Sequence, residues 1–240
     1  MKVRFLSAGD RALVVEFGDR IDRALSNDVL RLNARVRSEA LDGIVETVPT
    51  FRSLMIHFDP LVTTKGDLER AVGGLLDHDR GSKILATQWR IPVCYEGKFA
   101  PDLAEVAQLT GLTPGDVVAM HSGTRYHVYM LGFLPGFPYM GDLPAQLALP
   151  RRADPRLRVP AGSISIATSL TAIYPYESPG GWHLIGATPI RLFDVERPRP
   201  ALLVPGDAVI FQPIDGACYG RVREAVENGG YEVESEPIAA

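Results

Sequence analysis

Apolar and polar positions in the first 80 residues follow two periods, one typical of strands and one of helices. Four apolar runs pair around short turns as two hairpins, at residues 3–6 with 12–17 and at 44–49 with 53–58. Two further stretches repeat apolar residues at helical spacing, namely Val29, Leu32, Val36 and Ala40, then Leu68, Val72, Leu75 and Leu76. Ser26 or Asn27 can cap the first helix, and the second is expected over 67–77. This order predicts a small α+β domain with helices on one face of an antiparallel sheet.

A polar stretch at residues 78–83 marks the seam between two predicted domains, residues 1–83 and residues 84–240. After a strand near 88–95, helices are expected at 102–110 and from Thr113 to about His121. Short apolar runs bounded by Pro or Gly then follow, at residues 159–167, 170–174, 182–185, 190–193 and 208–211. These runs predict a closed or nearly closed β-barrel.

Residues 130–141 combine helix-breaking residues with large apolar side chains and carry no charge. Because exposed aromatic surface is costly in water, this segment is expected to press against the body of the protein as a rigid turn. It would line a pocket with a wall made of Phe133, Pro135, Phe137 and Tyr139. A plug of the hydrophobic core is the alternative interpretation, because aromatic clusters often serve packing alone.

Residues 150–160, the arginine segment, hold four arginines between three prolines that limit backbone freedom. Arg156 and Arg158 share a face if the chain is extended, and Arg151 and Arg152 precede them. Guanidinium groups held in this way can grip a phosphate or a carboxylate through paired hydrogen bonds. The alternative is a solvated basic rim that Asp154 partly neutralises.

Three further residues are candidates for proton transfer, and two glycines accompany them. His121 is expected at a helix end before the aromatic segment, where it could act as a base or bond the helix carbonyls. His183 lies within a strand pattern, where a structural hydrogen bond is the common role. Glu177 opens a turn and is expected to act as a base, to bind an amine or to pair with an arginine of the arginine segment. Gly180 and Gly181 allow backbone N–H groups to approach a ligand closely.

Composition and missing motifs narrow the classes of function. The net charge of −4 over 240 residues provides no basic field for nucleic acid or an anionic membrane. Cys94 and Cys218 form neither a redox pair nor a disulfide pattern, and charges interrupt the first residues, so a cytoplasmic protein without a signal peptide is expected. No window of about 20 residues is free of Pro, Gly or charge, so no membrane span is expected. The sequence lacks a phosphate loop, a dinucleotide fingerprint, a metal-binding signature and a biotin attachment motif.

Three blocks of the sequence carry a specific resemblance to a known family. They are His121 with residues 130–141, residues 150–163 from Pro-Arg-Arg to Ala-Gly-Ser, and residues 177–189 from Glu-Ser-Pro-Gly-Gly-Trp-His to Thr-Pro. Together they resemble the B component of bacterial 5-oxoprolinase, also known as the KipI or allophanate hydrolase subunit 1 family. Residues 9–18 and 204–211 extend the resemblance over essentially the whole chain.

The resemblance implies a small α+β N-terminal domain followed by a cyclophilin-like β-barrel, without implying prolyl isomerase activity. It implies a heteromeric complex with a larger C component, of the KipA or allophanate hydrolase subunit 2 type, and a further A component. Such a complex opens 5-oxoproline to glutamate with ATP as co-substrate, and related paired domains form the carboxyl-transfer part of urea carboxylases. By this likeness the four arginines face a phosphate or carboxylate, and His121, Glu177 and His183 share their cleft.

One run departs from the family pattern. Relatives typically carry Gly-Gly-Gln-Thr-Gly-Ile-Tyr-Pro, whereas this chain has Thr168-Ser-Leu-Thr-Ala-Ile-Tyr-Pro175. Leu170 therefore replaces a polar amide, which indicates a different amide substrate or a loss of activity, because a site built for a polar partner discriminates strongly against its absence.

Two functions of different class compete at this stage. The first is an enzyme component that helps to hydrolyse a cyclic or urea-like amide. The second is a KipI-like regulatory module that binds a sensor histidine kinase and blocks its autophosphorylation. Turnover that appears only with a KipA-type partner favours the first, and stable kinase binding without turnover favours the second.

Overall fold

The computed structural model describes residues 3–76 and 85–239 of the chain. The chain divides into two compact units, one reaching from the N-terminus to Ala86 and the other comprising Thr87–Ile238. The domain boundary predicted at residues 83 and 84, with the polar seam at 78–83, lies outside the described residues.

The N-terminal unit is a four-stranded antiparallel sheet with two helices. Its elements are β1 (Arg4–Ser7), β2 (Ala12–Glu16), α1 (Arg23–Ser38), β3 (Ile44–Pro49), β4 (Ser53–Phe58) and α2 (Lys65–Leu76). The strand order is β1-β2-β4-β3. Alternate residues of β2 and β4, such as Leu13 and Ile56, form one core with Val29 of α1 and Val72 of α2. Both helices therefore cover the same face, and the predicted hairpin–helix–hairpin–helix order is confirmed.

Helix α1 begins earlier than the sequence pattern indicates. Asp22 is the N-cap, and its carboxylate accepts hydrogen bonds from the N–H groups of Ala24 and Leu25 at 2.9 and 3.3 Å. The prediction of Ser26 or Asn27 as the cap was wrong, because Ser26 lies inside the helix and is fully buried. Asp22 satisfies donors that otherwise lack a partner in the first turn. The second helix ends at Leu76, and the predicted Asp77 lies outside the described residues.

The second unit is a closed β-barrel. Its strands are β5 (Leu85–Cys94), β6 (Arg125–Leu131), β7 (Pro138–Gly141), β8 (Arg156–Val159), β9 (Ser163–Ala167), β10 (Leu170–Ile173), β11 (Ser178–Gly180), β12 (His183–Ala187), β13 (Ala208–Ile214) and β14 (Ser235–Ala239). Seven of them follow each other as β12-β9-β10-β7-β6-β13-β5, and a bridge from β12 back to β5 closes the ring. Strand β14 extends the sheet beside β5, and β8 pairs with β11 as a separate ribbon.

Helices pack around this barrel at three places in the chain. They are α3 (Leu103–Thr110), α4 (Pro114–Ser122) and α5 (Gly216–Glu227). Gly111 ends α3 with a φ of 71°, and Thr113 and Asp116 form a capping box at the start of α4. Both helices agree with the sequence analysis, whereas α5 was not predicted. The described residues contain no helix that is both long and apolar enough to cross a membrane.

Two strand predictions in the barrel were wrong in detail. The run 159–167 is split by a turn, so that Val159 ends β8 and Ser163 begins β9. The run 190–193 is not a strand, because its backbone forms only an isolated bridge between Phe193 and Ala201. Its alternation arises because Ile190 and Leu192 pack into the barrel core. The apolar pattern of residues 190–193 therefore predicted correctly which side chains are buried, but it could not predict whether the backbone pairs with another strand.

The hairpin between β9 and β10 holds a threonine in an unfavourable conformation. Its two-residue loop is Thr168-Ser169, and Thr168 has a φ of 52°. A positive φ is costly for a β-branched residue, and the resembling family carries glycine here. We expect Thr168→Gly to raise the free energy of unfolding by about 1 kcal/mol, because the strain disappears. Urea unfolding measures the change, with Ser169→Gly as the control, since Ser169 does not have a positive φ. Equal effects of the two variants would contradict the strain at Thr168.

Candidate functional site

The segment between β6 and β7 folds back as a tight turn. The N–H of Gly132 donates to the carbonyl of Phe137 at 3.1 Å, and the N–H of Leu134 donates to the carbonyl of Gly132 at 2.8 Å. This second bond makes Phe133 the centre of a γ-turn with a φ of 69°, a rare and strained conformation. The Phe133 side chain is 60% exposed, so the strained turn presents an aromatic ring to solvent.

Five aromatic side chains form a continuous cluster beside this turn, the aromatic wall: Phe133, Phe137, Tyr139, Tyr174 and Trp182. The Phe137 ring is the centre, at 5.4 Å from Phe133, 5.0 Å from Tyr139 and 5.1 Å from Tyr174. Trp182 lies 6.3 Å from Phe137 and 6.0 Å from Tyr139. Phe137 and Trp182 are buried, whereas Phe133 is exposed and Tyr139 partly exposed. One part of the aromatic wall is therefore packed in the protein interior, and the other part is accessible to solvent.

The four residues predicted as a pocket wall lie in or beside the aromatic wall. Phe133, Phe137 and Tyr139 belong to the aromatic wall, and Pro135 is an exposed residue of the turn. Tyr174 and Trp182 were not predicted, because they follow the segment by more than 30 positions in the printed sequence. Gly180 lets Tyr174 pack here, since a Cβ at Gly180 would lie 2.3 Å from the Tyr174 hydroxyl oxygen. Burial raises the pKa of Tyr174 to about 12, which keeps the phenol neutral.

The four arginines of the arginine segment do not share one ligand. Arg152 Nη1 lies 2.7 Å from Glu105 Oε2 and 3.5 Å from Asp102 Oδ1, and Arg156 Nη2 binds the same Asp102 oxygen. Arg158 is exposed and lies 3.6 Å from Glu177. The segment therefore meets a carboxylate at three of its four arginines. This arrangement differs from the predicted one, in which the four arginines together bind one phosphate or carboxylate.

Arg151 takes part in none of these ion pairs. Its guanidinium carbon lies 5.9 Å from the ring centre of Trp182, in a cation–π arrangement. Arg151 also opposes the rise that burial causes in the pKa of Tyr139, which places its charge beside the aromatic wall. Among the described residues, Arg151 forms no salt bridge with a carboxylate. An unpaired guanidinium next to aromatic rings can bind a carboxylate attached to a small ring.

Asp102 is a site residue that the sequence analysis missed. It is 3% exposed and lies immediately before α3, where an aspartate normally caps the helix. Its side chain makes no cap bond and instead binds the two arginines and, through Oδ2, the N–H of Leu184 at 2.6 Å. The absence of a side-chain cap lowers the stability of the helix by about 1 kcal/mol. The charge-assisted hydrogen bonds of Asp102 offset this loss. From sequence, such a residue is indistinguishable from an ordinary helix cap.

Glu177 and Gly181 lie at the edges of the arginine segment. The Glu177 carboxylate is exposed and pairs with Arg158 at 3.6 Å, so the interpretation of Glu177 as an arginine partner describes the observed contact. The carbonyl of Gly181 accepts a hydrogen bond from the N–H of Arg152 at 2.8 Å. Gly180 pairs with Arg156 in the ribbon of β11 and β8. These glycines hold the segment through backbone contacts. A Cβ at Gly180 would clash with Tyr174, whereas a Cβ at Gly181 would make only ordinary contacts with Pro155.

His183 keeps one ring nitrogen unpaired. It is 4% exposed, and its Nε2 donates to the carbonyl of Pro150 at 3.0 Å. A carbonyl only accepts, so Nε2 carries the proton and Nδ1 carries the lone pair. Nδ1 is buried and has no hydrogen-bond partner among the described residues. Arg152 Nε and Arg156 Nη1 are likewise buried without a partner there. Unpaired buried polar atoms cost free energy and mark places where function can outweigh stability.

His121 lies away from the arginine segment, inside the barrel. It is fully buried, with Nδ1 at 2.8 Å from the Tyr95 hydroxyl and Nε2 at 3.0 Å from the Thr171 hydroxyl. Because the Thr171 hydroxyl donates to the Ser165 carbonyl, it accepts from His121 Nε2, and Tyr95 donates to Nδ1. Burial lowers the pKa of His121 to about 3, so the ring is neutral. Its ring stacks on Phe211 with centroids 4.7 Å apart.

Two of the residues that depart from the family pattern, Leu170 and Ala172, lie on the face of β10 opposite Thr171. Leu170 is buried at the start of the strand, and Ala172 pairs with Tyr139 of the aromatic wall. The change from the family pattern therefore occurs beside the wall rather than beside His121. Within residues 3–76 and 85–239, no group of three or more His, Cys, Asp or Glu side chains is arranged to hold a metal ion.

Comparison with known proteins identifies relatives along most of the chain. Residues 3–203 match the family described as carboxyltransferase domain, subdomain C and D. The chain is 37% identical over 231 residues to the B component of 5-oxoprolinase from Bacillus subtilis, covering 90% of this chain and 95% of the relative. It is 40% identical over 222 residues to the corresponding component from Escherichia coli O157:H7, covering 90% of this chain and 99% of the relative.

Solved structures show the same fold in longer proteins. The crystal structure of TTHA0988 superposes with a TM-score of 0.76 at 36% identity, over 86% of this chain and 40% of that one. The Kluyveromyces lactis urea amidolyase superposes with a TM-score of 0.80 at 22% identity, over 99% of this chain and 16% of that one. The chain thus spans less than half of either protein. The predicted fold class, a small α+β domain with a β-barrel, is confirmed.

Proposed function

Because this chain belongs to the carboxyltransferase domain family, subdomains C and D, we propose that it is the B component of an ATP-dependent complex that hydrolyses 5-oxoproline to glutamate. The observation that carries the proposal is its 37% identity to the B component of B. subtilis 5-oxoprolinase over nearly the full length of both chains. The chain is thereby related to components of enzymes. The relatives are named as one part of a larger enzyme, which supports action within a complex. We propose a KipA-type C component and an A component as the partners.

The geometry around the aromatic wall supports a small cyclic acid as the substrate. The 5-oxoproline molecule is a five-membered lactam that carries a carboxylate. Arg151 would bind this carboxylate, and the aromatic wall would pack against the ring. The salt bridges at Arg152, Arg156 and Arg158 leave Arg151 as the arginine of the segment without a carboxylate partner among the described residues.

His183 is the proposed proton acceptor for the hydrolysis. Water attacks the lactam carbonyl carbon, the bond from that carbon to nitrogen breaks, and a proton from water passes through the base to the nitrogen. Of the three candidate bases, His121 has both ring nitrogens bonded and Glu177 is exposed. His183 Nδ1 has a free lone pair, and the bond from Nε2 to Pro150 orients the ring.

The arginine segment does not fit the triphosphate of a nucleotide. A triphosphate needs several unpaired cations or a glycine-rich phosphate loop. Arg152 and Arg156 are already paired with buried or nearby carboxylates, and the sequence contains no such loop. ATP therefore enters the proposal only as the co-substrate of the complex.

Reconstitution tests the proposal. The chain is co-purified with its KipA-type partner, and ATP hydrolysis is measured with 5-oxoproline, urea and allophanate, with and without the A component. We expect 5-oxoproline to stimulate turnover in the complex and not with this chain alone. Stimulation by urea or allophanate instead would assign the chain to the amide chemistry named for the K. lactis relative. A stable complex without turnover on any of these amides would contradict the enzymatic proposal and favour the KipI-like regulatory module.

Substrate binding by Arg151 gives a second prediction. We expect Arg151→Ala to raise the KM for 5-oxoproline about 30-fold with little change in kcat, because a charge-assisted hydrogen bond made in both ground and transition states is lost. Steady-state kinetics of the reconstituted complex measure the effect. Arg158→Ala is the matched control, since Arg158 is exposed and its contact with Glu177 is long. An unchanged KM in Arg151→Ala would exclude Arg151 as the carboxylate ligand.

A further inference from the structure

Asp102 joins three separate parts of the barrel unit through one buried carboxylate. Oδ1 accepts a hydrogen bond from Arg156 of the arginine segment and forms a longer ion pair, at 3.5 Å, with Arg152 of the same segment. Oδ2 accepts a hydrogen bond from the backbone N–H of Leu184 in β12. The backbone N–H of Asp102 also donates to the carbonyl of Leu184 at 3.0 Å. Asp102 thus makes two hydrogen bonds to β12, and one hydrogen bond and one longer ion pair to the arginine segment.

Two of the residues that contact Asp102 are direct neighbours of the two residues proposed to act on substrate. Arg152 follows Arg151, whose guanidinium lies over Trp182. Leu184 follows His183, whose Nδ1 has the free lone pair. Because one carboxylate holds Arg156 and, more loosely, Arg152 on one oxygen and Leu184 on the other, it ties the segment that carries Arg151 to the strand that carries His183.

The cost of this arrangement indicates that it has a function. A carboxylate at a helix N-terminus satisfies helix donors at little expense, whereas a buried carboxylate must offset the loss of its hydration. Asp102 forgoes the cap bond and is 3% exposed. Local sequence preferences are commonly broken in this way at functional sites.

We infer that Asp102 is a positioning residue that sets the distance between Arg151 and His183. This inference rests on the proposed function, because it is defined by the two residues proposed to bind and to deprotonate. Asp102 touches no substrate itself. It acts through the arginine segment on one side and through β12 on the other.

The test is a double-variant cycle in the reconstituted complex. We expect Asp102→Asn to lower kcat/KM about 30-fold, with a rise in KM and a fall in kcat, because both neighbours are released. In an Arg151→Ala background, Asp102→Asn should raise KM no further, since the residue through which it acts on binding is already absent. Asp116→Asn is the control, because Asp116 is an exposed capping residue of α4 in the same unit and bonds only around Thr113.

The possible outcomes distinguish a failure of the proposed function from a failure of the positioning role of Asp102. Failure of the wild-type complex to turn over 5-oxoproline would refute the proposed function itself. Wild-type turnover with an unchanged kcat/KM in Asp102→Asn, or with additive KM effects in the double variant, would refute the positioning role alone. Should Asp102→Asn fail to fold, Asp102→Glu keeps the charge but displaces it by one methylene, and the same loss of kcat/KM and the same masking by Arg151→Ala are expected.

Discussion

Acidification from pH 7 to pH 4.5 is expected to lower the free energy of unfolding of the barrel unit by about 2.5 kcal/mol through His121. His121 is enclosed by Tyr95, Thr171, Tyr126 and Phe211, and these contacts present no carboxylate to the ring. A protonated imidazole there would lack both hydration and a counter-charge. The folded protein therefore keeps the ring neutral.

The sign of the effect follows from proton uptake. Burial lowers the pKa of His121 from 6.5 to about 3, whereas the unfolded chain keeps the ordinary value. Between these two values the unfolded state binds more protons, so stability rises with pH there at about 1.4 kcal/mol per pH unit. The contribution is fully present above the unfolded pKa of 6.5 and is lost progressively as the pH falls toward 3.

Urea unfolding at a series of pH values measures this slope. Both tryptophans of the sequence, Trp89 and Trp182, lie in the barrel unit, so their fluorescence follows the unfolding of that unit. His121→Gln can donate to Thr171 and accept from Tyr95 without titrating, and it should flatten the slope between pH 6 and 4. His57→Gln is the control, because His57 lies in β4 of the N-terminal unit. A slope that persists in His121→Gln would show that another group causes the acid sensitivity.

The largest expected effect on activity is that of His183→Gln, which should lower kcat at least about 100-fold, the usual range for removal of a general base. Glutamine can still donate to the Pro150 carbonyl in place of Nε2, so the local structure is retained. It cannot take up a proton as Nδ1 can. Single-turnover kinetics of the reconstituted complex would measure the effect on the chemical step.

His183→Ala and the exchange at His127 separate chemistry from structure. His183→Ala removes both the base and the bond to Pro150, so it should be at least as inactive as His183→Gln and less stable. His127→Gln alters another buried histidine of the same barrel, which lies in β6 against Tyr129. A kcat for His183→Gln within about three-fold of the wild type would exclude a general base at this position.

Local periodicity was enough to predict the N-terminal unit and the type of the second one. Amphipathic helices and half-buried strands have distinct periods, and the contacts of Leu13, Ile56, Val29 and Val72 lie where those periods place them. The barrel followed from short strands separated by Pro and Gly. The start of α1 was misplaced because Asp22 caps the helix before the first residue of the periodic pattern.

The chemistry of the candidate site depended on partners that no local pattern records. The four arginines look equivalent in sequence, yet Asp102, Glu105 and Glu177 bind three of them and leave Arg151 over Trp182. Those partners lie up to 54 positions away in the chain. His121 and His183 were likewise grouped together by sequence, yet their hydrogen-bond partners differ: His121 bonds Tyr95 and Thr171, whereas His183 bonds Pro150.

The parallel pairing of β13 with β5 has a consequence for synthesis on the ribosome. The paired residues of the two strands run from Ala208 opposite Gln88 to Ile214 opposite Cys94. The carboxylate of Asp207 also accepts hydrogen bonds from the N–H of Thr87 and from the indole N–H of Trp89. During translation β5 emerges more than one hundred residues before the strand that lies beside it. All strands of the N-terminal sheet have emerged by Phe58. The nascent barrel therefore carries an unpaired strand edge through most of its own synthesis, and this interval is when the chain is most exposed to aggregation.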